Sequence, residues 1–394
     1  MPDSAVYAAT ARRAVSNLVA SQIREVANAG MGEADILPFW FGEPDEVTPA
    51  FIRDAAALSL ARGETFYTQN FGIPELRAAI GAYVSWLHGG VTPERVAVTA
   101  SGMSALMLAV EALVAPGDRV VAVTPLWPNL VEIPKILGAD VTSVALDFAA
   151  GRWTLDLDRL IAALTPATRV LLVNSPNNPT GWTITREAQA ALLAHCRRHG
   201  IWIIGDDVYE RLVYDGTACA PSFLALADAD ERVIRTNSFS KSWCMTGWRL
   251  GWIVAPPALM EDLGKLIEYN TSCSPVFVQR AGLAAITEGE PTVARTRLRF
   301  AAARDRLVAA LAQLPGVEAA PPPGAMYVFF RVAGLTDSLA FCKQLVREAR
   351  LGLAPGRAFG PEGEGFVRWC FASDGARLDD GVGRLARFLA GGAR

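Results

Sequence analysis

The chain has 394 residues, 51% of them hydrophobic and 20% charged, enough for a large core and roughly two to three domains, and far from the composition of a disordered chain. Lys and Arg number 37 against 40 Asp and Glu, a net charge of −3 with no block of like charges, which argues against nucleic acid or an anionic membrane surface as partner. No apolar run reaches the roughly 18 residues needed to span a bilayer.

From the N-terminus, MPDSAVYAATARRAVSNLVASQ lacks the charged leader and continuous apolar stretch of a secretory signal, so a cytoplasmic protein is expected. The six cysteines are scattered without a C-x-x-C pair, in a chain too large to need a disulfide framework. Residues 1–45 are too short to fold alone and are expected to pack with a smaller domain formed later in the chain.

Within residues 46–290, short β-branched runs alternate with helical patterns. The runs are RVAVT (95–99), RVVAVTP (119–125), DVTSVAL (140–146), RVLLVNSP (169–176), IWIIGDD (201–207), RVIRTNS (232–238) and LGWIVAP (250–256). Helix-like segments such as SALMLAVEALVAPGD (104–118) and REAQAALLAHCRRHG (186–200) separate them. Nearly continuous Val, Ile and Leu between helices predict a mostly parallel sheet covered on both faces, a three-layer α/β domain. PALMEDLGKLIEYN (257–270), PVFVQRAGLAAITEG (275–289) and a periodic stretch from Pro291 to about Leu314 read as helices. A Pro-rich turn, the strand MYVFFRV (326–332), the helix SLAFCKQLVREA (338–349), the strand GFVRWCFA (365–372) and a helix over Leu378–Ala390 follow. Residues 291–394 are therefore expected to form a smaller α/β domain.

Several strands end in specific polar residues, where working groups of parallel sheets collect. RVLLV runs into NSPNNPTGW, with Asn174, Asn177 and Asn178; turn chemistry explains the residue types but not so rigid and polar a loop. IWIIG runs into DDVYE, an acidic pair followed by Tyr209. RVIRT runs into NSFSK, two seryl hydroxyls and Lys241, with Arg249 between Gly247 and Gly251 soon after. No G-x-G-x-x-G or P-loop pattern occurs, which argues against dinucleotide and nucleotide binding. No metal site is expected, because His195 and His199 share a helix face without a nearby carboxylate.

In type, order and spacing these residues resemble the class I/II aminotransferases, aspartate aminotransferase-like enzymes of fold type I that use pyridoxal 5′-phosphate (PLP). The likeness runs from about residue 35 to the C-terminus. In SFSKSWCMTGWRLGW it implies that Lys241 forms the Schiff base with the cofactor aldehyde and that Ser238 and Arg249 bind its phosphate. Asp206 of DDVY would pair with the pyridine nitrogen, Asp207 taking that place only if the register slipped by one. Tyr209, and Asn178 of NPTG, would reach the phenolic oxygen. TASGMSAL matches the phosphate-binding turn, with Ser101, Gly102 and Met103, and TPLWPNL places Trp127 on the cofactor ring. FYTQNFGIPELR implies a homodimer in which Tyr67 reaches the neighbouring subunit's phosphate. FWFGEPD sets Gly42 against the substrate, and FVRWCFA sets Arg368 on its α-carboxylate; Trp127 and Asn178 also face the substrate.

Met103 stands where relatives dedicated to dicarboxylates often carry Lys, and Phe39, Trp40 and Trp127 would lie nearby. The expected donor is a neutral, apolar or aromatic amino acid, and the acceptor a 2-oxo acid. A PLP-dependent C–S β-lyase, or another PLP lyase or decarboxylase, would need the same lysine and electron sink. An aminotransferase-like effector domain of a transcription regulator is the non-enzymatic alternative, disfavoured by the absence of a basic patch.

Overall fold

The computed structural model describes residues 11–391; the ends of the two expected terminal segments, residues 1–10 and 392–394, lie outside the described residues. All seven β-branched runs form strands of one sheet: β1 (Val96–Thr99), β2 (Arg119–Thr124), β3 (Asp140–Ala145), β4 (Thr168–Asn174), β5 (Trp202–Asp206), β6 (Val233–Ser238) and β7 (Gly251–Val254). They lie in the order β1-β7-β6-β5-β4-β2-β3. Neighbours are parallel except in the two pairs made by β7. Alternate side chains of a strand face opposite ways. Val121, Val123, Leu171, Val173 and Ile203 therefore enter one core, while Val120, Ala122, Val170, Leu172 and Ile204 enter another. Full burial of each such side chain contributes about 1.5–3 kcal/mol, and this doubly buried sheet is the three-layer α/β domain.

Ser238 pairs with Gly251 in the antiparallel β6–β7 ladder. Residues 239–250 are thus one long connection held closed at its base, and it carries both Lys241 and Arg249.

A second sheet, antiparallel throughout, has the order β8 (Val317–Glu318), β9 (Tyr327–Val332), β11 (Phe366–Cys370), β10 (Ala354–Pro355). Helix α1 (Gln22–Asn28) is capped by Ser21, whose hydroxyl accepts from the Arg24 N–H, and buries Ile23, Val26 and Ala27. It packs against β10, and Leu37–Pro38 pairs in parallel with Leu351–Gly352. N-terminal and C-terminal segments so share one core, in which Val26 and Ala27 meet Phe330, Leu345 and Trp369.

One element carried no sequence signal, a hairpin of Asp147–Ala149 with Arg152–Thr154. Its strands are too short for a periodicity to show. Its turn residues Ala150 and Gly151 have φ of +49° and +76°, as a tight two-residue turn requires. Trp153 reaches Phe366 of the second sheet, ring centroids 5.0 Å apart.

Candidate active site

β4, β5 and β6 lie side by side, so their carboxyl ends bring Asn174, Asp206 and Ser238 together. Asn174 is the register partner of Asp206. Its amide nitrogen donates to the Asp206 backbone oxygen at 3.0 Å and to Oδ2 at 3.2 Å, and its Oδ1 accepts from the Asn178 N–H at 2.8 Å. Alternation along the chain sends Asp207 the other way. There it meets Ser222 at 2.8 Å and the buried Arg235 at 2.7 Å. Arg235 also pairs with Glu210, which His88 contacts at 2.6 Å. The acidic pair is thus divided: Asp207 belongs to a buried ion network, and Asp206 faces a cavity. Burial, and then the charge of Asp207, push the Asp206 carboxyl up to about 7.

Lys241 borders the same cavity from the β6–β7 connection. Its Nζ donates to the Gly42 carbonyl at 2.5 Å and lies 6.0 Å from the centre of the Tyr209 ring. The side chain keeps a window onto the cavity, yet protein encloses the amine closely enough that desolvation lowers it to about 8. Arg249 has a φ of +52°, a left-handed backbone uncommon for any residue but glycine, and donates to the Thr246 carbonyl at 2.7 Å.

Helix α2 (Gly102–Leu113) begins beside Ser238. Ser101 caps it, its hydroxyl accepting from the Ser104 N–H. The Gly102 and Met103 N–H groups find no acceptor among the described residues. A methyl group on Gly251 would stand 2.6 Å from the Gly102 nitrogen, and one on Gly102 would stand 3.0 Å from the Ser238 Cβ. Only glycines allow the helix end and the serine-bearing strand to converge so tightly.

The opposite wall comes from the second sheet. Arg368 on β11 is 2% exposed; it donates to Asn178 Oδ1 at 2.9 Å and to the Trp40 carbonyl, and its Nε is buried without a partner among the described residues. The guanidinium lies 4.4 Å from the centre of the Tyr327 ring. The Tyr327 hydroxyl meets the Tyr209 hydroxyl at 2.6 Å, and Asn178 Nδ2 approaches the latter at 3.5 Å. Burial and the neighbouring Tyr327 hold Tyr209 well above its usual pKa, as a neutral phenol able to donate. A methyl group at Gly42 would lie 1.8 Å from the Tyr327 hydroxyl, so that position requires glycine.

One cavity of about 450 Å³ gathers Gly42, Gly102, Met103, Trp127, Asn178, Asp206, Tyr209, Ser238, Lys241, Arg249 and Arg368. Of the residues singled out from sequence, Ser101, Tyr67, Phe39 and Trp40 do not border it. Ser101 is buried as the cap of α2, and Tyr67 is 89% exposed. Phe39 and Trp40 are buried in the core beneath the second sheet, where apolar packing outcompetes a place at the cavity. Asn174, Tyr327, Arg24, Phe41 and Glu43 also border the cavity and had been given no role. Asn174 was legible as the last residue of a strand beside Asp206, whereas Tyr327 carried no signal within its apolar run.

The family model for aminotransferase class I and II matches residues 34–385. The chain is 34% identical to the aspartate aminotransferase of Pyrococcus horikoshii over 94% of its own length and 95% of that protein's. It is 31% identical to aromatic-amino-acid aminotransferase 2 of Thermococcus litoralis, with 94% and 95% covered. The solved aspartate aminotransferase of Thermus thermophilus with maleate superposes with a TM-score of 0.88 at 31% identity, covering 96% of this chain and 99% of that one.

The chain belongs to the class I and II aminotransferases. It is a PLP-dependent aminotransferase of fold type I. The residues of this aminotransferase fit the cofactor. The Gly102 and Met103 N–H groups at a helix N-terminus, Ser238 and Arg249 all border the cavity, a donor set suited to a phosphate. Asp206, a carboxylate with no ion pair among the described residues, borders it too, with Lys241, an amine whose pKa burial lowers.

Proposed function

We propose that this aminotransferase moves an amino group from a neutral, apolar or aromatic amino acid to a 2-oxo acid, with Lys241 as its catalytic amine. The observation that carries this is the convergence of Lys241, Asp206 and Arg368 on one cavity walled by Phe41, Met103 and Trp127. PLP supplies an electron sink for the bond broken at the substrate's Cα. Asp206 would keep the pyridine nitrogen protonated, and Tyr209 and Asn178 would donate to the phenolic oxygen. Ser238, Arg249 and the Gly102 and Met103 N–H groups would hold the phosphate, and Trp127 would cover the ring. Lys241 would hold the cofactor's aldehyde end and, as the amine bordering the cavity, would serve as the group that takes the proton from the substrate's Cα. Arg368 receives the α-carboxylate beside Gly42 with its planar fork.

Tyr67 and its neighbour Phe66, 89% and 83% exposed, support a homodimer in which Tyr67 reaches the adjoining subunit's phosphate. Six cysteines without a disulfide support a cytoplasmic setting. The same proposal divides the chain into a cofactor-bearing domain, residues 46–290, and a smaller domain of residues 291–394 joined by residues 1–45; the pairing of Leu37 with Leu351 supports it.

Rapid mixing of the cofactor-loaded enzyme with single amino acids tests the reaction. Apolar or aromatic donors are expected to convert the cofactor from its aldehyde to its amine form, read by absorbance. Release of pyruvate and ammonia without that conversion would instead mark a lyase. Arg368→Lys, which keeps the charge but loses the fork, is expected to raise KM for every donor about tenfold or more, with a smaller change in kcat.

A further inference from the structure

The charges around the cavity leave one cation unassigned. Arg24, Lys241, Arg249 and Arg368 border it, against the carboxylates Asp206 and Glu43. Glu43 accepts from the Thr246 hydroxyl, and Asp206 is engaged by Asn174. A phosphate, an aldehyde and an α-carboxylate account for Arg249, Lys241 and Arg368. Arg24 has none of these to serve. Its guanidinium finds no carboxylate among the described residues and lies instead over the Phe41 ring, 4.6 Å from the centroid. Stacking of this kind fixes the guanidinium while leaving its edge N–H groups free for a planar anion.

The placement is built into the fold. Ile23, Val26 and Ala27 anchor α1, which packs against β10, and Ala354 of β10 is the register partner of Arg368. Both arginines therefore ride on one scaffold, and their separation is set independently of the sheet that carries Lys241. The same cavity has an apolar lining that includes Met103, Leu106 and Trp127.

Resting on the aminotransfer proposed above, we propose that Arg24 binds the distal carboxylate of a dicarboxylic 2-oxo acid, the amino acceptor. The cavity then takes an apolar donor against Phe41 and Trp127, and a dicarboxylic acceptor between Arg368 and Arg24.

The test is steady-state kinetics of the cofactor-loaded enzyme with one donor and two acceptors, 2-oxoglutarate and pyruvate. Wild type is expected to prefer 2-oxoglutarate. Arg24→Ala and Arg24→Gln should each lower the ratio of kcat/KM for 2-oxoglutarate over pyruvate about 10- to 100-fold, chiefly through KM, and Arg24→Lys should recover part of it. A ratio unchanged in both variants, or a wild type indifferent to the second carboxylate, overturns the assignment while aminotransfer stands. A wild type inactive with every donor and acceptor overturns both.

Discussion

Lys241→Ala is expected to lower transamination at least about a thousandfold, because among the described residues the cavity has no second amine able to give and take a proton. The other cations bordering it, Arg24, Arg249 and Arg368, carry guanidinium groups rather than amines. Burial lowers Lys241 to about 8, so far more of it is neutral near neutral pH than of an ordinary lysine. A lowered pKa makes the amine nucleophilic at lower pH, so cofactor capture by the cofactor-free protein should quicken as pH rises to about 8 and level off above it. Absorbance after mixing with PLP measures that profile. In Lys241→Ala the rise should vanish, and borohydride should leave no cofactor attached to the chain. Activity within tenfold of wild type would move the proton transfer to another group.

Asp206→Asn should cost about a hundredfold or more in kcat, because an amide cannot hold the pyridine nitrogen protonated where developing charge must be stabilised. The same change is expected to stabilise the cofactor-free protein. Burial and Asp207 raise the Asp206 carboxyl from its usual 3.8 to about 7 in the folded state. Folding therefore favours its protonated form; the stability this gives is complete below pH 3.8 and lost as pH rises through 7. At pH 8 the wild-type protein carries the full penalty of an ionised buried carboxylate, which asparagine avoids. Thermal melts of the cofactor-free proteins should show the variant a few degrees higher at pH 8, with the gap closing towards pH 4. Equal melting temperatures at pH 8 would mean that Asp206 finds a charge partner without the cofactor.

How far the site was legible varies by residue. Asp206, Asn178, Ser238 and Lys241 were readable because each follows an apolar run whose end is marked in the sequence itself. Gly42 was marked by its motif, but its reason is steric and distant: the Tyr327 hydroxyl occupies the space a side chain would need. Tyr327 looked like one more aromatic of a core strand, and only the docking of the second sheet brings its hydroxyl to Tyr209. Arg24 lies on a short amphipathic helix, where an arginine between Ile23 and Val26 reads as solvated surface. Its stacking on Phe41 is a contact between segments that sequence pattern does not connect.

By itself the sequence determined the doubly covered sheet, the strands that compose it, the lysine and the polar residues at their carboxyl ends, because burial period and strand termini are written locally. Only the tertiary structure decided that β7 runs against its neighbours, closing residues 239–250 into the connection that presents Lys241 and Arg249. It alone divided Asp206 from Asp207 by giving Arg235 and Ser222 to the second. It alone set Arg24 and Arg368 on one scaffold at the edge of the cavity. These outcomes depend on strand register and on how two sheets dock, where the free energy belongs to side chains far apart in the chain and leaves no periodic trace along it.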